Sequence, residues 1–170
     1  MKHIYLLRHA KSEWDEPYQT DEERGLAERG KKQTKALRSF LHDYEIDVDL
    51  AFVSPAERTK RTYQALRKEI LRLPKPDFKE AIYEAEEDDL LFLLHGVPDS
   101  VRSVMIVGHN PGLESFANAA LYGAPDPSRF HKFPTASFLG LTCDKDSWKE
   151  LTWGSCLLNV FWIPGRLGKE

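Results

Sequence analysis

Three short apolar runs constrain this chain most: Ile4-Tyr5-Leu6-Leu7, Leu50-Ala51-Phe52-Val53 and Val104-Met105-Ile106-Val107. Each has the length of a strand and none alternates with polar residues, the pattern of strands buried inside a parallel sheet. Each is also followed by a helix-like stretch. Strand-then-helix repetition predicts an α/β domain whose central sheet is covered by helices on both sides.

The rest of the chain fits that frame. Residues 11–29 are polar and irregular, with Pro17 and Gly25, and read as a long loop over the end of the first strand. From about Ala27 to Tyr44 the residues Leu37, Phe40, Leu41 and Tyr44 share one helical face. Ser54 and Pro55 look like the N-cap and first residue of a second helix running to Pro74. Residues 75–83 suggest a loop with a short strand. Asp88-Asp89 opens a compact helix through His95, and another helix is expected from Pro111 to about Leu121. Residues 123–127 break the chain. Segments 136–142 and 150–161, joined by a turn at 144–146, read as a late antiparallel pair. The expected architecture is a three-layer α/β/α domain, one domain over residues 1–170, with a mostly parallel sheet and that antiparallel addition.

Composition removes several functions. With a net charge of −3 over 170 residues, the chain has no basic excess for tracking nucleic acid or coating a membrane surface. Any phosphate recognition must be local. The N-terminus lacks a signal-peptide pattern and no apolar run approaches a membrane span, so the cytoplasm is the expected location. Cys143 and Cys156 are too few and too isolated to suggest a disulfide framework or a zinc site, and read as small hydrophobes in the C-terminal strands.

The chemistry lies at the strand ends. Arg8 and His9 end the first run, Arg58 follows the second by one turn of helix, and His109 with Asn110 follows the third. Loops at the carboxyl ends of parallel strands meet in one crevice, where ligands bind. Arginine and imidazole groups gathered there fit a phosphoryl group, whose transfer depends on positioning and electrostatics. Collecting them without an anion would be costly. His9, on a short strand-end turn, is the expected nucleophile; it needs one free neutral nitrogen, with the other held by an acceptor. His109 is expected to donate to a phosphoryl oxygen and to be protonated when phosphate is bound. His3, His42 and His95 read as surface or capping residues, and His131 as a surface residue bordering the pocket at most.

The ordered set of motifs resembles the histidine phosphatase superfamily in its short SixA-like branch. It comprises Leu7-Arg8-His9-Ala10-Lys11-Ser12-Glu13-Trp14, Arg24-Gly25-Leu26 with Glu28-Arg29-Gly30, Ser54-Pro55 with Arg58 and Thr62, Tyr83-Glu84-Ala85, and Gly108-His109-Asn110-Pro111-Gly112. The resemblance implies a phosphoglycerate mutase-like fold, a covalent phosphohistidine on His9, and phosphoryl binding by Arg8, Arg58 and His109. Ala10 stands where the family's third motif residue is commonly glycine. Arg24, Ser12 and Asn110 are candidate substrate contacts, and Trp14 is either a rim aromatic or a loop anchor. Glu84 is the candidate general acid, although Glu86, Glu87, Asp88 and Asp89 crowd the same stretch.

An imidazole leaving group needs a proton far less than an alkoxide does, so a phosphohistidine phosphatase can work without a well-placed acid. The expected activity is therefore a metal-independent, cofactor-free phosphatase acting on protein phosphohistidine, such as a histidine phosphotransfer domain, and releasing inorganic phosphate. A small sugar or nucleotide phosphate is the alternative substrate, and a non-catalytic phosphate-binding module is the alternative class. Metal-dependent hydrolysis is disfavoured because no helix-spaced ligand pair accompanies the histidines.

Overall fold

A computed structural model describes residues 1–13, 20–126, 128–130 and 132–165. Trp14, Pro17, Pro127 and His131 lie outside the described residues. One sheet organises the chain, with strands β1 (Lys2–Arg8), β2 (Leu50–Val53), β3 (Pro76–Phe78), β4 (Ser103–Gly108), β5 (Phe138–Cys143) and β6 (Cys156–Trp162) in the order β3-β2-β4-β1-β5-β6. β1, β2, β3 and β4 run parallel, whereas β5 pairs antiparallel with both β1 and β6. The late antiparallel pair is therefore added at one edge of a parallel core.

Helices α1 (Glu28–Tyr44), α2 (Glu57–Arg67), α3 (Glu87–His95) and α4 (Gly112–Ala120) cover both faces. Because side chains alternate along a strand, β1 sends Ile4 and Leu6 to one core and Tyr5 and Leu7 to the other. The first core is closed by Leu90 and Leu94 of α3 and by Leu113, Phe116 and Ala117 of α4. The second is closed by Leu37 and Leu41 of α1 and by Tyr63 and Leu66 of α2. A run such as Val104–Val107 is apolar throughout because both of its faces are covered.

Several expected boundaries move, each for a physical reason. α2 begins at Glu57 with Ala56 as its N-cap rather than at Ser54. Ser54 instead extends the β2 ladder, its backbone N–H donating to Val107 O at 3.0 Å. α2 stops at Arg67, and the following turns tuck Ile70 and Leu73 into the core before Pro74. Ala136 is not in a strand: it has φ 62°, and its N–H reaches the carbonyls of Arg8 (3.1 Å) and His9 (2.9 Å). The last strand starts at Cys156 rather than at Glu150, which ends a 3-10 turn, Trp148–Glu150, whose Trp148 is buried with its Nε1 donating to Val101 O at 2.8 Å. His3 lies within β1 rather than before it, whereas His42 is exposed on α1 and His95 ends α3 as expected.

The reading of Cys143 and Cys156 as isolated thiols is overturned. They face each other in register across β5 and β6 and form a disulfide. Chain spacing alone could not show this, because the strand register decides which residues oppose one another. Among the described residues, no helix is long and apolar enough to cross a membrane.

Candidate active site

Because β2, β4 and β1 are adjacent, their carboxyl ends deliver Ser54, His109 and His9 to one place. His9 N–H donates to Gly108 O at 3.1 Å, stitching the first loop to the third. The His9 and His109 rings lie 5.3 Å apart, centroid to centroid, tilted by 53°. The second loop joins through Thr62 on α2: its hydroxyl accepts from Ala10 N–H at 2.9 Å and donates to Arg58 O at 2.7 Å. Segments more than fifty residues apart are thus tied by a single buried side chain.

His9 is 8% exposed, and its Nδ1 lies 2.8 Å from Ala10 O. A carbonyl can only accept, so Nδ1 carries the proton and Nε2 keeps its lone pair. Burial, reinforced by the positive charge of Arg58 and Arg8, lowers the His9 pKa to about 3. The imidazole is therefore neutral at physiological pH. His109 is lowered to about 4, first by burial and then by Arg58. Its Nε2 sits 2.7 Å from Ser54 Oγ, which also accepts from Ala56 N–H at 3.4 Å. Either atom can donate in this contact; a Ser54 hydroxyl that donates to Nε2 leaves the His109 proton on Nδ1, facing a bound anion.

Three polar atoms around this centre, Arg8 Nε, Arg58 Nε and His109 Nδ1, are buried without a hydrogen-bond partner among the described residues. Buried donors are rarely left so, and an anion with several oxygens would satisfy them. Arg8 is held by Nη1 donating to Phe133 O at 2.8 Å, and Asn110 Nδ2 donates to the same carbonyl at 3.1 Å. Asn110 Oδ1 in turn accepts from Glu114 N–H at 3.3 Å at the start of α4.

Two residues given no role by the sequence are central to the site. Asp21 accepts from Arg58 Nη2 (3.1 Å) and from Arg24 Nη2 (2.7 Å), and its backbone carbonyl takes Arg58 Nη1 at 2.7 Å. Tyr83 donates its hydroxyl to the same carboxylate. That bond, with the adjoining arginines, holds the Asp21 pKa down at about 2, while the same bond to Asp21 raises that of Tyr83. The Tyr83 ring also stands edge-on to His109, 5.4 Å away, and lies near the Arg58 guanidinium. In the sequence, Asp21 was one acid in a polar loop and Tyr83 only a neighbour of Glu84. Glu84 itself is exposed on a left-handed turn (φ 58°). Arg24 Nη1 donates to Ser12 Oγ at 3.1 Å, placing both beside Asp21 at the rim. Among the described residues, no group of three or more His, Cys, Asp or Glu is placed to hold a metal ion.

The sequence model of the histidine phosphatase superfamily, branch 1, matches residues 4–89. The chain belongs to the histidine phosphatase superfamily. It is a SixA-like, histidine-nucleophile phosphatase in class, with a phosphoglycerate mutase-like α/β fold. A structure from Agrobacterium tumefaciens, described as a candidate phosphohistidine phosphatase SixA, superposes with a TM-score of 0.79 at 28% identity, over 96% of this chain and 99% of that one. The protein histidine phosphatase SixA complexed with tungstate gives a TM-score of 0.76 at 19% identity, over 95% and 97% of the two chains. An uncharacterised protein of Mycobacterium leprae is 25% identical over 93% of this chain and 99% of its own length.

Proposed function

We propose that this phosphatase removes phosphate from protein phosphohistidine through a covalent intermediate on His9. The observation that carries the reading is the Nδ1–Ala10 O contact at 2.8 Å. It leaves Nε2 of a neutral, rigidly held imidazole as the free nucleophilic atom, beside Arg8, Arg58 and His109.

In the first step the His9 Nε2 lone pair forms a bond to phosphorus. The bond from phosphorus to the substrate nitrogen breaks, and its electron pair leaves with that nitrogen as a neutral imidazole, the ring's other nitrogen having taken a proton from solvent. Arg8, Arg58 and the His109 N–H neutralise the charge spread over the phosphoryl oxygens. In the second step water adds to phosphorus, the His9–phosphorus bond breaks, and the proton released from water passes to solvent as orthophosphate leaves.

The available acids support this substrate: Glu84 is exposed on its left-handed turn, away from the buried histidines. Asp21, the carboxylate hydrogen-bonded to Arg58, titrates at about 2 and is ionised at neutral pH, so it cannot protonate an alkoxide. A phosphohistidine ring protonated on its other nitrogen leaves as neutral imidazole, whose conjugate acid has a pKa of about 6.5, and needs no acid from the enzyme. The SixA likeness of the fold supports the same substrate. Involvement in a phosphorelay and a cytoplasmic location belong to this proposal.

The deciding experiment compares a phosphorylated histidine phosphotransfer domain with small phosphomonoesters, using wild type and His9→Ala. Wild type should release phosphate faster from the protein, and an acid-labile, alkali-stable phosphoryl adduct should be trapped on His9. Turnover surviving in His9→Ala removes the mechanism. Preference for a small phosphomonoester removes the substrate assignment, and absence of any adduct or turnover favours a phosphate-binding module.

A further inference from the structure

The arginine expected to hold the phosphoryl group is already occupied by an internal anion. Arg58 gives Nη2 to the Asp21 carboxylate at 3.1 Å and Nη1 to the Asp21 backbone oxygen at 2.7 Å, while its Nε has no partner. While Asp21 holds both terminal nitrogens, a phosphoryl group can reach Arg58 only side-on, through Nε and the second hydrogen of a terminal nitrogen, and not through the end-on Nη1/Nη2 pair. A carboxylate beside a phosphoryl dianion would also repel it.

We propose that Asp21 is a displaceable clasp: its carboxylate occupies Arg58 in the empty site, gives way to the incoming phosphoryl group, and returns as orthophosphate leaves. The surroundings suit this exchange. Asp21 lies on the 3-10 turn Asp21–Glu23, which buries no residue, so moving it exposes no core. Its side chain is 50% exposed and is held by polar groups alone: Arg58, Arg24 and Tyr83. Arg24 grips Asp21 Oδ1 from both Nε (3.1 Å) and Nη2 (2.7 Å), three residues along the same segment. Arg24, itself anchored by Nη1 to Ser12 Oγ at 3.1 Å, offers the carboxylate a second cationic partner once Arg58 has been released. Asp21 thus acts through Arg58, as a positioning residue that limits how tightly phosphate is retained.

The inference rests on the phosphatase reading for the identity of the incoming anion, and its test separates the two. Orthophosphate is titrated by calorimetry into wild type, Asp21→Asn, Tyr83→Phe, Glu22→Gln and Arg58→Ala, each checked for native thermal unfolding. Asp21→Asn should tighten orthophosphate about fivefold, the scale of a partly exposed ion pair. Product inhibition should sharpen by the same factor, with KM falling more than kcat. Tyr83→Phe, which loosens the carboxylate but keeps the ring, should shift affinity in the same direction by less, and adding it to Asp21→Asn should change nothing further. Glu22→Gln removes the same charge from the same turn and should leave affinity within about 1.5-fold, since it is an exposed charge outside the contact.

Unchanged or weaker orthophosphate binding in Asp21→Asn, or equal tightening in Glu22→Gln, overturns the clasp while leaving the phosphatase reading intact. Failure of wild type to bind orthophosphate, or binding unaffected by Arg58→Ala, overturns both.

Discussion

Ser54 Oγ lies 2.7 Å from His109 Nε2, joining the residue just after β2 to the residue just after β4. The contact orients the His109 imidazole between the two strand ends.

Ser54→Ala should therefore lower kcat/KM by about tenfold, the scale of one lost hydrogen bond to a positioned catalytic group. His109 would lose the contact that orients its ring. Steady-state kinetics and an NMR record of the His109 ring nitrogens check this together. Unchanged kinetics with an unchanged ring spectrum would show that the contact is incidental.

Thr62→Val tests the brace between the first and second loops. The substitution keeps the side-chain shape but leaves the buried Ala10 N–H without its acceptor at 2.9 Å. A buried unsatisfied donor costs about 1–3 kcal/mol, so the urea midpoint should fall accordingly. kcat should fall too, since His9 and Arg58 lose their common tie. Stability lost without any loss of activity would mean that the brace serves the fold alone.

Acid should destabilise the protein before its exposed carboxylates titrate. His9 and His109 have folded pKa values of about 3 and about 4, against an unfolded value of about 6.5. Below pH 6.5 the unfolded chain takes up protons that the folded chain refuses. Stability is therefore full above pH 6.5 and is lost as pH falls toward those folded values, by at most about 1.4 kcal/mol per pH unit for each imidazole. Asp21, lowered from 3.8 to about 2, adds a loss of the same sign across that lower interval. Urea titrations between pH 7 and pH 4 should show a falling midpoint, and a His9→Asn/His109→Asn variant should show a shallower fall.

Reducing the Cys143–Cys156 disulfide should lower stability without touching chemistry. The bond closes a loop with a sequence separation of 13, for which chain entropy allows up to about 3 kcal/mol. A Tm lowered by several degrees in Cys143→Ser/Cys156→Ser, with unchanged kcat, is the expected result in calorimetry and phosphatase assays. Disulfides of this kind are unusual in reducing compartments, so the oxidation state in cell extract also tests the cytoplasmic expectation.

What the sequence determined was the sheet and its cargo. Val104–Val107 is apolar at every position because helices cover both of its faces, and that is visible without coordinates. Placing Arg8, His9, Arg58 and His109 at strand ends needed only the order of elements, since parallel strands bring their carboxyl ends to one side.

Only the tertiary structure decided what surrounds those groups. Strand register paired Cys143 with Cys156. Loop geometry carried Asp21 to Arg58 and Tyr83 to His109, across separations that no local pattern encodes. Hydrophobic periodicity records which face of an element is buried, whereas hydrogen bonds between distant loops depend on where packed elements leave their polar ends. For that reason the place of His9 at a strand end was legible in the chain, and the contact of Asp21 with Arg58 was not.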